Sequence, residues 1–305
     1  MKKTLKIAVL LCLAVTVILC LASCNKQSAE SQKTTPATTT TTETTPEATT
    51  PAETTPDGKL PEEEVKYSTG LEYATHPSIG DGNCFIVGVS TWEDTDICIP
   101  PEIDGYKVIG IADGAFNAEA FSECKQMTSI TLPNTILYIG DAAFNACYGL
   151  TSITIPDGVQ IIDAGAFHRC ENVTSITIPN SVTEIRYGAF EFCLNLTTVT
   201  IPDSITKIDD SVFAGCEKLE SVIIPNSVTS IGKQAFAMCY SMTSITIPDS
   251  VTNIGVNAFF LCTSLTTITF EGTVEQWNAM TFGDNWNLQV PSTEVTCSNG
   301  IVPLN

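Results

Sequence analysis

From about residue 130 onward, apolar and polar positions recur with a fixed period. Ile or Leu followed by Pro stands at Leu132-Pro133, Ile155-Pro156, Ile178-Pro179, Ile201-Pro202, Ile224-Pro225 and Ile247-Pro248, each step 23 residues. Phe144, Phe167, Phe190, Phe213, Phe236 and Phe259 keep the same step, as do Cys124, Cys147, Cys170, Cys193, Cys216, Cys239 and Cys262. A fixed period of this size implies one coil per repeat, with coils stacked into a solenoid. Within Ser181 to Ile201, the recurrent apolar residues are Val182, Ile185, Ala189, Phe190, Cys193, Leu196, Val199 and Ile201. Val199 and Ile201 alternate with Thr198 and Thr200, which predicts a strand. Ala189, Phe190 and Cys193 sit at helical spacing and predict one short helical turn. Pro202 ends the strand, and Asp203-Ser204 turns the chain. A single coil cannot bury its apolar side, whereas stacking buries every column of equivalent residues. The expected fold is a repeat solenoid of about seven coils, with parallel strands on one face, short helical turns on the other, and a cap at each end. At about 4.8 Å per strand, its sheet runs roughly 34 Å.

Both ends depart from the period. Pro100 to Pro133 exceeds it by ten residues, divided between a turn at Asp104-Gly105-Tyr106 and the segment between Phe116 and Phe121. Asp113 to Cys124 is expected to form a longer helix than later coils have. Ahead of it, Cys84 to Val89 and Ile97 to Ile99 read as an N-terminal hairpin, with Cys84 and Cys98 as candidates for a disulfide across it. At the far end Trp277 falls 23 residues after Ile254 and is assigned to the Ile column, Phe282 to the Phe column, and Asn285 to the Cys column. The predicted organisation is a leader over residues 1–23, a stalk over 24–64, an N-terminal cap over 65–100, repeats over 101–270 and a C-terminal cap over 271–305.

The repeat Phe190-x-x-Cys193-x-x-Leu196-x-x-Val199-x-Ile201-Pro202 resembles the BspA-like (treponemal type) leucine-rich repeat family. So do the opening Thr95-Asp96-Ile97-Cys98-Ile99-Pro100 and the closing Gln276-Trp277-Asn278. The resemblance spans about residues 80 to 300 and is specific for fold. It implies a surface-exposed bacterial protein, in a family some of whose members adhere to host matrix proteins such as fibronectin and fibrinogen. It does not name a ligand, because fold and function are separable.

The N-terminus adds a location. Lys2, Lys3 and Lys6 precede an apolar run from Ile7 to Leu21 that is too short to span a bilayer. The run ends in Leu21-Ala22-Ser23-Cys24, which resembles the lipobox of bacterial lipoproteins, with Cys24 as the acylated residue. Two acyl chains suffice for stable anchoring, so contact with the membrane is expected through the lipid alone. The Thr- and Pro-rich segment that follows has almost nothing to bury and reads as a disordered spacer. Fully extended, it reaches on the order of 100 Å. From Cys24 onward 11 basic residues stand against 34 acidic ones. So acidic a chain repels phosphate backbones, which argues against nucleic acid as a partner.

Chemistry is sparse. The two histidines, His76 and His168, lie in separate regions, and no nucleophile elbow, phosphate loop or metal-ligand spacing is present. No cofactor, metal or enzymatic activity is expected, although scattered carboxylates leave a carbohydrate-active enzyme as the least favoured reading. The Cys column admits disulfides, a metal array or a small apolar core residue. The last is favoured, because stacked copies point in parallel whereas a disulfide needs its Cβ atoms facing. On the solvent side of the strands, one column reads Ser129, Ser152, Ser175, Thr198, Ser221, Ser244, Thr267. The next reads Thr131, Thr154, Thr177, Thr200, Ile223, Thr246, Thr269. Ser152, Thr154, Ser175, Thr177, Thr198, Thr200, Ser244 and Thr246 are therefore the candidate ligand-binding residues. Duplicated strand formers would give the same columns without any ligand. Two functions stay open: a surface module that binds an extracellular protein or glycan in adhesion or recognition, and a structural spacer with no dedicated ligand.

Overall fold

The computed structural model describes residues 66–90, 95–117, 124 and 126–304. The leader, Cys24 and the stalk lie outside these residues, as does 118–123 of the first-coil insertion, so the longer helix expected over Asp113–Cys124 is described only at its ends.

The chain is a solenoid whose coils carry two parallel ladders. Along the first, Asp96–Cys98 and Ser129–Thr131 form one two-stranded sheet, and a second sheet runs through Ile153–Thr154, Ser175–Thr177, Thr198–Thr200, Ser221–Ile223, Ser244–Ile247, Thr267–Phe270 and Glu294–Cys297. That makes nine rungs among the described residues, two more than the sequence period suggests, because both terminal segments add a turn. Register is strict: Ser175 faces Thr198, Val199 faces Val222, and Ile223 faces Thr246. The alternation holds in burial too, with Ile176, Val199 and Ile245 buried and the residues on either side of each exposed.

A second ladder, additional to the strand that the alternation predicts, precedes the expected helical turn in each coil. Its strands are Tyr106–Ile111, Tyr138–Ile139, Ile161–Ile162 and Glu184–Ile185 in one sheet, and Lys207–Ile208, Ser230–Ile231, Asn253–Ile254 and Thr281–Phe282 in another. Beyond it the chain makes tight turns rather than helix. Cys147, Cys170 and Cys193 each donate their N–H to the carbonyl of the Phe three residues earlier. Two residues per coil are left-handed. One set is Ala142, Gly165, Gly188, Ser211, Gln234, Asn257 and Asn285; the other is Ala146, Arg169, Phe192, Gly215, Met238, Leu261 and Gln289. A helix cannot continue through positive φ, so the i, i+3 spacing of Phe and Cys marks turns. Each Phe N–H instead bonds forward: Phe144 to the Ala166 carbonyl, Phe167 to Ala189, Phe236 to Ala258.

Aromatic rings fill the interior. Phe116, Phe144, Phe167, Phe190, Phe213, Phe236 and Phe259 stack with centroids 5.2 to 5.7 Å apart and planes within 12° of parallel. All seven are fully buried.

The ends correct the sequence reading. Asn83–Val89 does not pair with Asp96–Cys98. It lies between Leu71–Ala74, antiparallel, and Tyr106–Ile111, parallel, whereas Asp96–Cys98 pairs in parallel with Ser129–Thr131. The two strands belong to different sides of one coil, so the partner of each lies a coil away instead of across a hairpin. Cys84 and Cys98 thus sit in separate sheets, and both are free. At the C-terminus Ile254 is in register with Phe282. The helix Val274–Ala279, begun by a capping box between Thr273 and Gln276, holds the extra residues. Trp277 is a buried residue of that helix, Phe282 takes the Ile column, and Asn285 takes the first left-handed position (φ 57°) instead of the Cys position. Trp286 sets its ring edge-on against Phe259 at 6.2 Å and closes the aromatic stack.

Candidate binding face

The strands from Ile153–Thr154 to Thr267–Phe270 pair in one sheet and present a common face along the repeats. Ser152, Thr154, Ser175, Thr177, Thr198, Thr200, Ser244 and Thr246 are all exposed on it, in two adjoining columns. Parallel register places equivalent residues one strand spacing apart, about 4.8 Å. None of these eight hydroxyls bonds to another group of the described protein. They are available to a ligand or to water.

A third column lies beside them that the alternation did not reveal: Thr128, Thr151, Thr174, Thr197, Glu220, Thr243 and Thr266. Its residues stand one position ahead of the strand, so their periodicity is visible in the sequence although they fall outside the strand pattern. Some of its hydroxyls are used internally: Thr197 Oγ1 donates to the Thr174 carbonyl at 3.2 Å, and Thr266 Oγ1 to that of Thr243 at 3.4 Å. On the other border, one residue beyond each proline, Asn134, Asp157, Asn180, Asp203, Asn226 and Asp249 alternate along the solenoid, all exposed. No Lys or Arg stands in any of these four columns. The pattern breaks in a single coil, where Ile223 replaces Thr and Glu220 replaces Thr. Ile223 is 71% exposed, more than any other large apolar residue described.

The Cys column is buried, and its thiols are hydrogen-bonded. Sγ of Cys147, Cys170, Cys193, Cys216, Cys239 and Cys262 donates to the carbonyl of Phe116, Phe144, Phe167, Phe190, Phe213 and Phe236, at 3.1 to 3.4 Å. Each accepting carbonyl belongs to the coil before. Cys therefore fills space and also ties consecutive coils together. Burial pushes the Cys193 thiol up to about 12, and Cys147, Cys170, Cys216 and Cys239 move the same way for the same reason. Such thiols stay protonated and unreactive at neutral pH. Cys84 is pushed up to about 11 by burial.

Other polar groups are structural. Tyr138 donates its hydroxyl to Asp163 at 2.7 Å and lies 3.1 Å from Asp113. Arg186 reaches Asp163 at 2.9 Å and Glu184 at 2.9 Å. Burial raises Asp113 and Asp141 above the usual carboxylate range, and the neighbouring Asp163 charge adds to it. His76 caps a short 3-10 turn, accepting from the Ser78 N–H. His168 pairs with Glu191 at 3.3 Å beside a shallow groove of about 320 Å³, lined by His168, Arg169, Glu171, Phe192 and Leu194. Among the described residues no group of three or more His, Cys, Asp or Glu is placed to hold a metal ion.

Comparison with known proteins agrees with this architecture. The family described as BspA type leucine rich repeat region matches residues 114–220 and 183–299, in 6 copies. The crystal structure of the leucine-rich-repeat protein of T. pallidum is similar at TM-score 0.52 and 24% identity, covering 74% of this chain and 90% of that one. A leucine-rich cell surface protein of Faecalibacterium prausnitzii aligns at TM-score 0.44 and 21% identity, covering 71% of this chain and 97% of that one. A leucine-rich repeat protein of Bacteroides ovatus aligns at TM-score 0.41 and 24% identity, covering 77% and 71%. No curated protein sequence matches the chain.

Proposed function

Because the chain belongs to the BspA-type leucine-rich repeat family, we propose that it is a lipid-anchored binding module of the bacterial cell surface, which docks an extracellular protein or glycan on the outer face of its first ladder. The observation that carries the reading is the two columns of exposed, internally unpartnered hydroxyls from Ser152 to Thr246. Repeat proteins gain binding area by repeating one contact along the stack. A ligand spanning several coils here meets many weak neutral contacts in place of one deep pocket. Acylation at Cys24 holds the module to the membrane, and the Thr- and Pro-rich stalk lifts it clear.

The alternative, a spacer without a dedicated ligand, predicts that no change on this face alters any association of the cell. Replacing Thr177, Thr200 and Thr246 together by Lys separates the two. All three positions are exposed on strands, so the fold should persist. The matched control places three Lys at Thr183, Thr206 and Thr252, which are exposed one residue ahead of strands of the other ladder and keep the same spacing of 23 and 46 residues. Adhesion of whole cells to immobilised matrix proteins and glycans should fall at least tenfold in the first variant and stay near wild type in the control. Equal adhesion by both variants would sink the reading.

A further inference from the structure

We infer that Ile223 is the anchor of a protein-docking patch, and that the partner is a segment combining apolar side chains with flanking Lys or Arg. The inference rests on the hydroxyl face being the binding surface and names the class of partner. Ile223 lies in register between Thr200 and Thr246, so it rises from the middle of the columns instead of their edge. The strand does not demand it, since Thr occupies the equivalent place in the coils on either side, on the same backbone. Thr and Ile are both β-branched and suit a strand alike. The exchange of a hydroxyl for apolar surface therefore changes what the face offers to solvent and little else. A single exposed apolar residue is ordinary on an irregular surface. Here it stands in register between two Thr residues of a neutral hydroxyl face, and apolar anchors surrounded by near-neutral contacts dominate protein interfaces once a partner covers them.

Charge selects the partner. Glu220 precedes Ile223 by three residues in the same coil, and it replaces the Thr found in six of the seven equivalent positions of its column. Asp203 and Asp249 follow the aligned Thr200 and Thr246 by three residues, and all three carboxylates are exposed. Cations on a partner would meet carboxylates on both sides of the anchor, Glu220 on one border and Asp203 and Asp249 on the other. A second copy of the same face would bring these carboxylates together, in a chain with 34 acidic and 14 basic residues, so self-association on this face is disfavoured. A glycan gains nothing from Ile223, which removes a hydroxyl from the row. A basic, apolar polypeptide uses both substitutions at once.

The test uses the full-length chain and three synthetic peptides of about twelve residues, read by fluorescence anisotropy. One has apolar residues flanked by Lys, one has the same apolar residues flanked by Glu, and one keeps the Lys flanks but replaces the apolar residues by Ser. The Lys-flanked apolar peptide should bind at least tenfold more tightly than either of the others. Ile223→Thr restores the residue of the column and leaves the fold intact. It should weaken that binding five- to fiftyfold, the range expected for losing most of one buried aliphatic contact. Glu220→Thr should weaken it less, and its effect should shrink as added salt screens the border. Equal binding of the three peptides, no binding of any, or an unchanged Ile223→Thr variant overturns the inference. If the Thr177, Thr200, Thr246 triple Lys variant still loses adhesion in that case, the hydroxyl face stands and only the anchor falls. Adhesion unchanged in the triple variant removes both. Binding of chito- or cello-oligosaccharides to the face, with none of the peptides, overturns the partner class alone.

Discussion

Replacing Cys193 tests whether the thiols are structural links between coils. Cys193 is fully buried, and its Sγ donates to the Phe167 carbonyl at 3.4 Å. That separation suits sulfur but exceeds the roughly 2.5–3.0 Å of an O–H···O bond. Serine has a shorter bond to its heteroatom, so its hydroxyl would lie still farther from the same carbonyl. Cys193→Ser therefore buries a hydroxyl with a poor acceptor and should cost about 1–3 kcal/mol. Cys193→Ala removes the sulfur contacts and the thiol bond but strands no donor, because the Phe167 carbonyl keeps its bond from the Cys170 N–H. Its cost should be about 1–2 kcal/mol, below that of Ser. Urea unfolding of the two variants measures the order, and the repeat array makes the first transition the safer one to compare. Thiol labelling is the companion assay. With burial holding the Cys193 thiol up at about 12, it stays protonated at pH 7. Alkylation should follow unfolding and not the reagent concentration. Wild-type stability in the Ser variant, or labelling of the folded protein at Cys193, would refute the account.

Three further outcomes are expected. Phe213→Ala opens the middle of the ring stack, where Phe190 and Phe236 each lie 5.7 Å away, and should cost about 3–5 kcal/mol in urea unfolding. Asp113 is raised above its ordinary 3.8, chiefly by burial. The native state then holds more protons than the unfolded chain between 3.8 and the raised value, so this group's stability is full below that window and is lost as pH rises through it. Asp113→Asn keeps an acceptor for Tyr138 and the Asp141 N–H, and should flatten the gain that the wild type shows on acidification from neutral pH, as read by melting temperature. Cys24→Ala should abolish lipidation and shift the protein from the membrane fraction into the medium or periplasm, as read by fractionation and mass spectrometry; an unshifted variant means that Cys24 is not the anchor.

The period made the coil legible because every coil repeats the same burial decision. Val199 is buried for the reason that Ile176 and Ile245 are, and the exposed hydroxyl columns follow by alternation alone. What lay beyond sequence reading depends on neighbours a full coil away. The thiol bond from Cys193 ends on Phe167, 26 residues earlier, and no local pattern signals it. Ala189, Phe190 and Cys193 predict a helical turn because tight turns share the i, i+3 spacing of a helix. A signal against helix was nevertheless present. The first left-handed position holds Gly165, Gly188, Asn257 and Asn285, the residue types that tolerate positive φ. The third hydroxyl column escapes the alternation because Thr174 and Thr197 precede the strand.

The ends were misread for a related reason, and their geometry bears on function. A parallel ladder presents unpaired backbone groups at both termini, which invite another strand or another molecule. At the first rung, Ser68 covers the edge: its N–H donates to the Cys98 carbonyl at 2.9 Å, and its Oγ accepts from the Cys98 N–H at 2.9 Å. At the last rung the chain reverses, and Gly300–Pro303 pairs antiparallel with Glu294–Cys297. Pro303 has no N–H to offer an incoming strand. Antiparallel Leu71–Ala74 ends the second ladder in the same way. Each device breaks the 23-residue pattern, so a reading built on that pattern assigns Trp277 and Asn285 to columns they do not occupy. These contacts occupy part of the open backbone edge at both ends of the first ladder. The lateral surface proposed for a partner is the one along which three hydroxyl columns and a single isoleucine run.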